Sequence, residues 1–408
     1  MSSPPNPPAL VLPPINLAER LGTFDITSIG GERVRAFIPP RLPPVPPLDL
    51  GPMQHLLSQA DQALGRLDGL ASILPDKNLL LYMYVRKEAV LSSQIEGTQS
   101  SLSDLLRYEA DEGFAGPLAD VTEVSNYVAA MDHGLKRLND GFPLSLRLLR
   151  EIHGILLQRG RGASQAPGEF RRTQNWIGGS RPGNAIFVPP PPHEVQRCMG
   201  DLEIFLHTPS PDLPTLVKAG LAHVQFETIH PFLDGNGRLG RLLITLLLCE
   251  QNVLRDPLLY LSLYFKTHRR RYYELLQSVR ETGNWERWLD FFLTGVVETA
   301  TQAGEMARGI LALLEADRQM IEAVGRPATS ALRLHRQFQL TPWMSIASAT
   351  AALKLSQPTI AAALRILTEV GIVRELTGRQ RDRVFVYHRY LALLNEGTEP
   401  LLTTPNQI

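Results

Sequence analysis

Hydrophobic residues recur at helical spacing through most of the chain, from about residue 53 to residue 315. Segments such as LRLLREIHGILLQ, LVKAGLAHVQFETI and LGRLLITLLLCEQ place apolar residues three and four positions apart, which puts them on one face of a helix. The same spacing predicts a further long helix near residues 300–324. The pattern therefore indicates a mainly α-helical protein.

Two stretches interrupt the helical pattern. Residues 1–52 are rich in proline, which disfavours a helix and favours an extended chain running over a surface. Residues 175–192, NWIGGSRPGNAIFVPPPP, place the short apolar runs 176–177 and 185–188 on either side of a turn rich in glycine, proline and asparagine. Two such runs around a turn predict a β-hairpin.

The C-terminal segment 331–396 has a different character from the helical region before it. Residues 331–395 carry nine Lys and Arg against three Asp and Glu. The pattern predicts a helix, a turn, a second helix entered near Gln357, and two strands around an arginine-rich turn. This order is that of a winged helix, with residues 397–408 as a tail.

The winged-helix shape leaves two interpretations open. One is binding of duplex DNA through the second helix and the turn arginines Arg379, Arg381 and Arg383. The other is a packing or homodimerisation module, because shape alone does not determine function.

Composition and charge narrow the classes of protein only a little. The 408 residues carry 41 Lys and Arg against 41 Asp and Glu, so net charge indicates no particular partner. Cys198 and Cys249 lie far apart, as is typical of buried thiols in a reducing compartment. The N-terminus lacks a secretory signal, and the longest apolar run, residues 242–249, is too short to span a bilayer. We expect a cytoplasmic protein outside the membrane.

The stretch HPFLDGNGRLGR, residues 230–241, carries the strongest chemical signal. Its glycines fit a dinucleotide-binding loop, but such a loop must follow a buried strand, and the preceding residues have helical spacing. A Walker loop is excluded as well, since no Lys-Ser/Thr pair follows the glycines. What remains is a helix, a sharp turn at His230-Pro231, a glycine loop and a second helix beginning near Gly237.

This arrangement suits a polyphosphate. Glycine-loop N–H groups and a helix N-terminus both favour an anion, and Arg238 and Arg241 add permanent charge. Asp234 would repel a bare phosphate, so its presence predicts a bridging cation, most plausibly Mg²⁺. His230 stands beside the loop and can act as a base near neutral pH.

Residues 230–241 resemble the signature of Fic-domain proteins, HPFx(D/E)GNGRxxR, at every fixed position. Segments 122–130, 168–195 and 257–296 are similar to other parts of that family. The resemblance implies a Fic-type helical core with a β-hairpin flap at residues 115–300. An N-terminal helical region at 53–114 would carry an inhibitory helix, and a linking helix would follow at 301–330. It also implies transfer of AMP from ATP to a Ser, Thr or Tyr hydroxyl of a target protein, with release of pyrophosphate.

The resemblance implies a role for each position of the signature. His230 is the base that deprotonates the target hydroxyl, in a loop fixed by Pro231 and Phe232. Asp234 holds Mg²⁺ against the phosphates of ATP, which is the co-substrate. The remaining ATP-binding positions are the anion hole of Gly235, Asn236 and Gly237, the phosphate-binding Arg238, then Leu239 and Gly240, and Arg241, which reaches the γ-phosphate. The flap pins the target by strand pairing around Ile177, Gly178, Gly179 and Ala185, a contact that does not identify the target.

A second motif precedes the signature, in LSSQIEGTQS at residues 91–100. The helix before it is expected to end at Glu96-Gly97, with Gly97 as the C′ residue. A glutamate there faces the negative end of the helix dipole, which is locally unfavourable. Ser92, Glu96 and Gly97 match the (S/T)xxxE(G/N) inhibitory motif of Fic proteins. The resemblance implies that Glu96 pairs with Arg241 and blocks productive placement of the γ-phosphate.

The leading hypothesis is an autoinhibited protein adenylyltransferase that also modifies itself once released. One alternative is a DNA-binding regulator whose Fic domain senses nucleotide, although an intact His230 favours an enzyme. Another is transfer of phosphate or UMP. Phosphorylating relatives have lysine at the second glycine of the loop, so Gly237 favours AMP. Removal of AMP, which some relatives perform with the inhibitory glutamate, stays open.

Overall fold

The N-terminal part of the chain forms a β-hairpin in the computed structural model, which describes residues 16–72, 77–109, 118–209, 212–325, 328–378 and 382–401. Strands β1 (Thr23–Ile29) and β2 (Glu32–Ile38) pair antiparallel along their whole length. Gly30 and Gly31 join them with φ values of 57° and 84°, which are the left-handed values that a two-residue hairpin turn requires. The expectation of an extended chain over residues 1–52 was therefore incomplete.

A layered set of helices makes up the centre of the molecule. Its members, in chain order, are α1 (Gln54–Ser72), α2 (Lys77–Ile95), α3 (Leu102–Glu109), α4 (Leu118–Asn139), α5 (Leu146–Leu156), α6 (Pro192–His207), α7 (Thr215–Ile229), α8 (Asn236–Glu250), α9 (Ser262–Thr267), α10 (Arg269–Thr282) and α11 (Trp285–Glu322). Helices α7 and α8 lie at the core, and α7 is buried from Leu216 to Ile229. A helix that is buried on all sides gives the loop after it a rigid support.

Helix α11 is longer than its sequence pattern indicated. It runs without a break from Trp285 to Glu322, so the predicted linking helix at 301–330 continues a core helix and the expected boundary at residue 300 falls inside it. No proline interrupts these residues, and proline is the residue that most strongly ends a helix interior. Helix α11 packs along α1 on one side and continues to the C-terminal elements.

The C-terminal elements are α12 (Ala328–Leu340), β3 (Trp343–Ser345), α13 (Ile346–Leu353), α14 (Gln357–Glu369), β4 (Arg374–Glu375), β5 (Val384–Val386) and α15 (His388–Asn395). The strands form an antiparallel sheet in the order β3-β5-β4. The predicted helix-turn-helix and strand pair correspond to α13, α14, β4 and β5, whereas β3 was not expected. Arg379 and Arg381 lie outside the described residues. The assignment as a winged helix stays a prediction.

One apolar core runs through both parts of the molecule, from Met53 in the helical centre to Leu394 in α15. Helices α12 and α15 both pack on α11. Within the described ranges, no helix combines the length and the apolar character that crossing a bilayer requires.

Candidate functional site

The turn between α7 and α8 brings the signature residues to the end of the buried helix pair. His230 ends α7 in the left-handed region with φ of 49°, and Gly235 begins α8 with φ of 76°. Arg171, a buried residue of the connection between α5 and α6, holds this turn in place. Its Nε donates to the carbonyl of His230 at 2.9 Å, and its own N–H donates to the carbonyl of Pro231 at 2.9 Å.

His230 is half-buried, and its Nδ1 atom has no hydrogen-bond partner within the described ranges. Because Nδ1 is buried, a ligand could meet the ring only at Nε2. Burial, together with the charges of Arg280 and Arg171, lowers the pKa of His230 to about 3. The ring is therefore neutral at pH 7, the state in which it can accept a proton.

The first turn of α8 is a candidate anion site. Helix geometry leaves the N–H groups of Asn236, Gly237 and Arg238 without intrahelical acceptors. The Asn236 side chain is used elsewhere, since it accepts from the N–H of Phe232 and donates to its carbonyl, both at 2.9 Å. Asn236 can thus offer an anion its backbone N–H, while its amide shapes the loop.

Three positions of the expected ATP-binding stretch have surroundings that differ from the expectation. The N–H of Gly235 donates to the carboxylate of Asp234 at 2.6 Å, so it is not free for a phosphate. Leu239 has a fully buried side chain, and its N–H donates to the carbonyl of Gly235 at 3.1 Å. Gly240 provides close packing, because a methyl group there would approach Glu227 Oε1 to 2.5 Å. Leu239 and Gly240 hold α8 in place and present no group to an anion.

A buried histidine of α5 orients Asp234. His153 accepts from the N–H of Gly168 through Nδ1 at 2.8 Å, so its proton is on Nε2, which donates to the carbonyl of Asp234 at 2.9 Å. Its ring stacks on Phe232 with centroids 3.7 Å apart. Burial lowers the pKa of His153 to about 4, which keeps the ring neutral.

The Asp234 carboxylate is about one-third exposed and is the part of this loop that could meet a metal ion. Over the ranges that the structure covers, no group of three or more His, Cys, Asp or Glu residues could hold a metal by itself. Mg²⁺ is commonly bound by one or two carboxylates together with substrate phosphates. A single carboxylate beside an anion site fits that mode of binding.

Arg238 is buried and paired. Its Nη1 lies 3.1 Å from Glu123 Oε2 on α4, and its Nη2 lies 3.6 Å from Asp234. Arg161 also reaches Glu123, at 3.3 Å. The ion pair with Glu123 holds the Arg238 side chain beside the loop. No ligand is needed to position it.

Arg241 is held by the end of α2. Its Nε donates to Ser92 Oγ at 2.8 Å, and its Nη2 donates to the Ser92 carbonyl at 3.0 Å and to Glu96 Oε1 at 2.7 Å. Ser92 is fully buried, whereas the Glu96 side chain is 31% exposed. Residues 145 positions apart in the chain thus form one charged contact in the site.

Glu96 also covers the start of α8. A methyl group added to Gly237 would overlap Glu96 Oε1, so the carboxylate lies directly against the anion site. Burial alone would raise the pKa of Glu96, but the charge and hydrogen bond of Arg241, with Arg238 and His230 nearby, hold it below its usual range. The carboxylate is therefore ionised at neutral pH.

The end of α2 fixes the position of Glu96. The N–H of Gly97 donates to the carbonyl of Gln94 at 3.1 Å, and the N–H of Thr98 donates to the carbonyl of Ser93 at 3.3 Å. Gly97 has φ of 101°. These two bonds and a left-handed residue form a Schellman motif, in which Gly97 is the C′ residue, as the sequence predicted.

The predicted hairpin at residues 175–192 is much shorter than expected. Pairing is limited to one antiparallel bridge between Ile177 and Phe187. Gly178 and Gly179, with φ of 67° and 74°, turn the chain away directly after Ile177, and this prevents longer strands. Ala185 packs against the N-terminal hairpin beside Val188. Trp176 and Ile186 remain 38% and 67% exposed, so the segment presents apolar side chains to solvent.

The N-terminal hairpin supports this flap-like segment. Glu32 receives hydrogen bonds from Arg181 at 2.5 Å and from the N–H of Gly183 at 2.7 Å, while the N–H of Phe37 donates to the carbonyl of Val188 at 2.9 Å. A groove of about 530 Å³ lies between the hairpin, the flap and α10. Arg280 forms part of the groove and also reaches the carbonyl of Glu227, one helical turn before His230.

Family models match both the helices before the loop and the loop itself. Residues 54–136 match the Fic/DOC family N-terminal region, and residues 143–248 match the Fic/DOC family domain. The second match contains the whole turn between α7 and α8. The chain thus carries both Fic/DOC regions. Its fold is mainly helical and of Fic type.

The Fic/DOC chain is similar to curated relatives named protein adenylyltransferase Fic. It is 30% identical over 240 residues to the protein from Aedes aegypti, covering 56% of this chain and 44% of the relative. It is 33% identical over 162 residues to the protein from Culex quinquefasciatus, covering 38% and 29%. The matches thus span less than half of those relatives.

Among solved structures, a Fic family protein from Desulfovibrio desulfuricans has the same fold. The TM-score is 0.56 at 21% identity, over 84% of this chain and 97% of the other. The likeness extends to most of the present Fic/DOC chain, and at this identity it concerns the fold alone.

Several residues that build the Fic site carried no clear sequence signal. Arg171, His153 and Glu123 contact the loop through buried polar atoms, and Asn175 donates to the carbonyl of Phe232 at 3.1 Å. Arg171, Glu123 and Asn175 fall inside segments that resemble the family. In a single sequence, however, nothing separates these inward-facing polar residues from solvated ones.

Proposed function

We propose that this protein is an autoinhibited protein adenylyltransferase that transfers AMP from ATP to a hydroxyl side chain of a target protein. The observation that carries the proposal is the position of a neutral histidine beside a helix N-terminus flanked by Arg238 and Arg241. Only the short turn 231–235 separates His230 from the first turn of α8, and Glu96 contacts both Arg241 and the position of Gly237 in that turn of helix.

In the proposed reaction, His230 Nε2 takes the proton of the target hydroxyl, and the hydroxyl oxygen attacks the α-phosphorus of ATP. The bond from that phosphorus to the bridging oxygen breaks, and pyrophosphate leaves. The N–H groups at the start of α8, with Arg238 and Arg241, stabilise the charge on the phosphates. Asp234 would hold Mg²⁺, which neutralises phosphate charge when it is bound.

Glu96 is proposed to be the inhibitory residue. Arg241 can pair with the Glu96 carboxylate or with the γ-phosphate, but not with both in good geometry. The contact of Glu96 with Gly237 places a second negative charge against the phosphate site. ATP bound in the presence of Glu96 would therefore be displaced from the in-line position.

The flap is proposed to hold the target segment. Beyond the Ile177–Phe187 bridge, Trp176 and Ile186 expose apolar surface close to the loop. Backbone pairing with the flap would align an extended target segment, and the groove beside it would accept flanking side chains.

The remaining assignments follow the same proposal. Residues 53–300 would form the catalytic unit, 331–396 a winged helix that binds duplex DNA or a second copy of the chain, and the protein would act in the cytoplasm. Cys198 is a buried free thiol, and Cys249 is a half-buried one.

The test compares Glu96→Gly with the double variant Glu96→Gly, His230→Ala. With α-labelled ATP and a cell lysate, the first should label itself and lysate proteins. The double variant should lose at least about a hundredfold of that rate, as is usual when a general base is removed. Both should bind ATP similarly. Retention of the label by the double variant would remove His230 from the mechanism, and label from γ-labelled ATP would indicate phosphate transfer instead.

A further inference from the structure

The end of the inhibitory helix α2 is in direct contact with the last described residues of the chain. Gln94, between Ser92 and Glu96, is 1% exposed and uses its Nε2 amide twice. It donates to the carbonyl of Ser100 at 2.9 Å and to the carbonyl of Thr398 at 2.8 Å. Gln94, which lies next to the Glu96–Arg241 contact, is thus hydrogen-bonded to a residue 304 positions away in the C-terminal segment.

The segment Asn395–Glu399, called the tail segment below, is docked at several points. Lys266 of α9 donates to the carbonyl of Gly397 at 3.1 Å and to that of Glu399. Asn395 Nδ2 donates to Ser103 Oγ at 2.7 Å. Thr398 is buried, and its N–H and hydroxyl both donate to the carbonyl of Asn395 at 2.8 Å.

The tail segment is also closely packed against α9 at Gly397. Gly397 has φ of 77°, and a methyl group there would approach Leu263 Cδ1 to 2.9 Å. Glycine meets both requirements, because it accepts the left-handed backbone and lets the chain approach α9.

The contact is polar and incompletely satisfied, which favours reversible docking. Four buried polar atoms, Ser93 Oγ, Gln94 Oε1, Thr98 Oγ1 and Ser100 Oγ, have no hydrogen-bond partner in the described part of the chain. Buried polar groups without partners weaken an interface, and water can satisfy them once it opens.

We propose that the tail segment is a built-in ligand of the inhibitory helix, which it holds in the position where Glu96 covers the anion site. Helix α15 leads directly from the sheet β3-β5-β4 into this segment. If a bound partner displaced the C-terminal elements, the hydrogen bond from Gln94 to Thr398 would break. Glu96 would then be held less firmly over the anion site. This inference rests on the proposed inhibitory role of Glu96.

The test uses two truncations of the otherwise full chain. One ends after Asn395 and removes the docked residues, and the matched control ends after Pro400 and keeps them. The shorter protein should incorporate AMP into itself roughly fivefold faster than the control, the change expected from one lost hydrogen bond. In the Glu96→Gly background, the two truncations should have equal rates, because the group that the tail segment positions is gone.

A second measurement separates failure of this inference from failure of the proposed function. Amide hydrogen exchange at residues 94–98 should be at least about fivefold faster in the shorter protein, whether or not any AMP is transferred. Gly397→Val, which should lift the tail segment without shortening the chain, should act in the same direction. Unchanged exchange in both variants, or an equal rise in activity with and without Glu96, would overturn the proposal. Absence of AMP transfer by Glu96→Gly itself would count against the proposed function alone.

Discussion

At the scale of single residues, the site depends on polar side chains that hydrogen-bond to the backbone of the turn between α7 and α8. Asn236 fixes Phe232, His153 fixes Asp234, and Arg171 fixes the carbonyl of His230. Each uses its hydrogen bonds on backbone groups that would otherwise lack partners in a sharp turn. The groups that would meet substrate are therefore in place before a ligand binds.

The first prediction concerns the protonation of His230. Burial and the charges of Arg280 and Arg171 lower its pKa to about 3, so the ring should stay neutral from pH 8 down to pH 5. Titration of the histidine ring signals by NMR, with His230→Ala to assign the resonance, tests this. A transition near pH 6.5 for that signal would contradict the environment described here.

At the scale of elements, α2 connects the Glu96–Arg241 contact to the rest of the helical core. Glu88, two turns before Glu96, receives hydrogen bonds from the N–H of Ser262 at 3.2 Å and from its hydroxyl. Burial raises the pKa of Glu88 to about 7 despite these bonds. The bonds from Ser262 favour the ionised carboxylate, but burial outweighs them, so the folded protein as a whole favours protonated Glu88.

This tie leads to a prediction for stability. A carboxyl whose folded pKa is raised contributes its full stability below the unfolded pKa of 4.5, and loses it as pH rises through about 7. The loss amounts to roughly 3 kcal/mol. Glu88→Gln should therefore gain stability relative to the wild type between pH 5 and pH 8, as measured by urea unfolding. If the free energies of unfolding of the two proteins differ by the same amount at pH 5 and at pH 8, Glu88 is ionised throughout.

The elements also show which features the sequence could predict. The loop at 230–241 and the Glu96-Gly97 helix end are local patterns, so their positions and conformations could be predicted without tertiary information. The N-terminal hairpin was also local, since Gly30-Gly31 separates two alternating runs, but the prolines around it obscured the pattern. Arg171 and His153 could not be found, because their roles depend on contacts between distant segments. The tail segment could not be found for the same reason.

At the scale of the whole molecule, the C-terminal elements share a core with the helical centre and also reach the end of α2. Some of the arginines that they carry in the described residues are held in ion pairs. Arg383 is paired with Glu375, and Arg365 on α14 lies 4.0 Å from Glu369. Part of the positive charge of these elements is therefore offset within the protein itself.

The full chain is accordingly predicted to bind duplex DNA weakly and only at low salt. The logarithm of the affinity should fall with the logarithm of the salt concentration by about 0.9 for each phosphate contacted. Electrophoretic shifts of a labelled duplex over a series of salt concentrations measure this slope. Failure to shift DNA even at the lowest salt would assign the C-terminal elements to protein contacts instead.

The account as a whole depends on Glu96 holding Arg241 away from ATP. A charge-assisted contact contributes on the order of 1.5–3 kcal/mol, so its loss should raise the productive ATP-bound fraction roughly ten- to a hundredfold. Glu96→Gln, which keeps the size of the side chain but removes its charge, is the matched control and should be intermediate in rate.

The most direct measurement is the rate at which AMP from α-labelled ATP enters the protein itself, compared between the wild type, Glu96→Gln and Glu96→Gly. The account predicts a nearly silent wild type and a Glu96→Gly variant at least about tenfold faster, with ATP affinity little changed. Equal rates for the three proteins at equal ATP occupancy would contradict it.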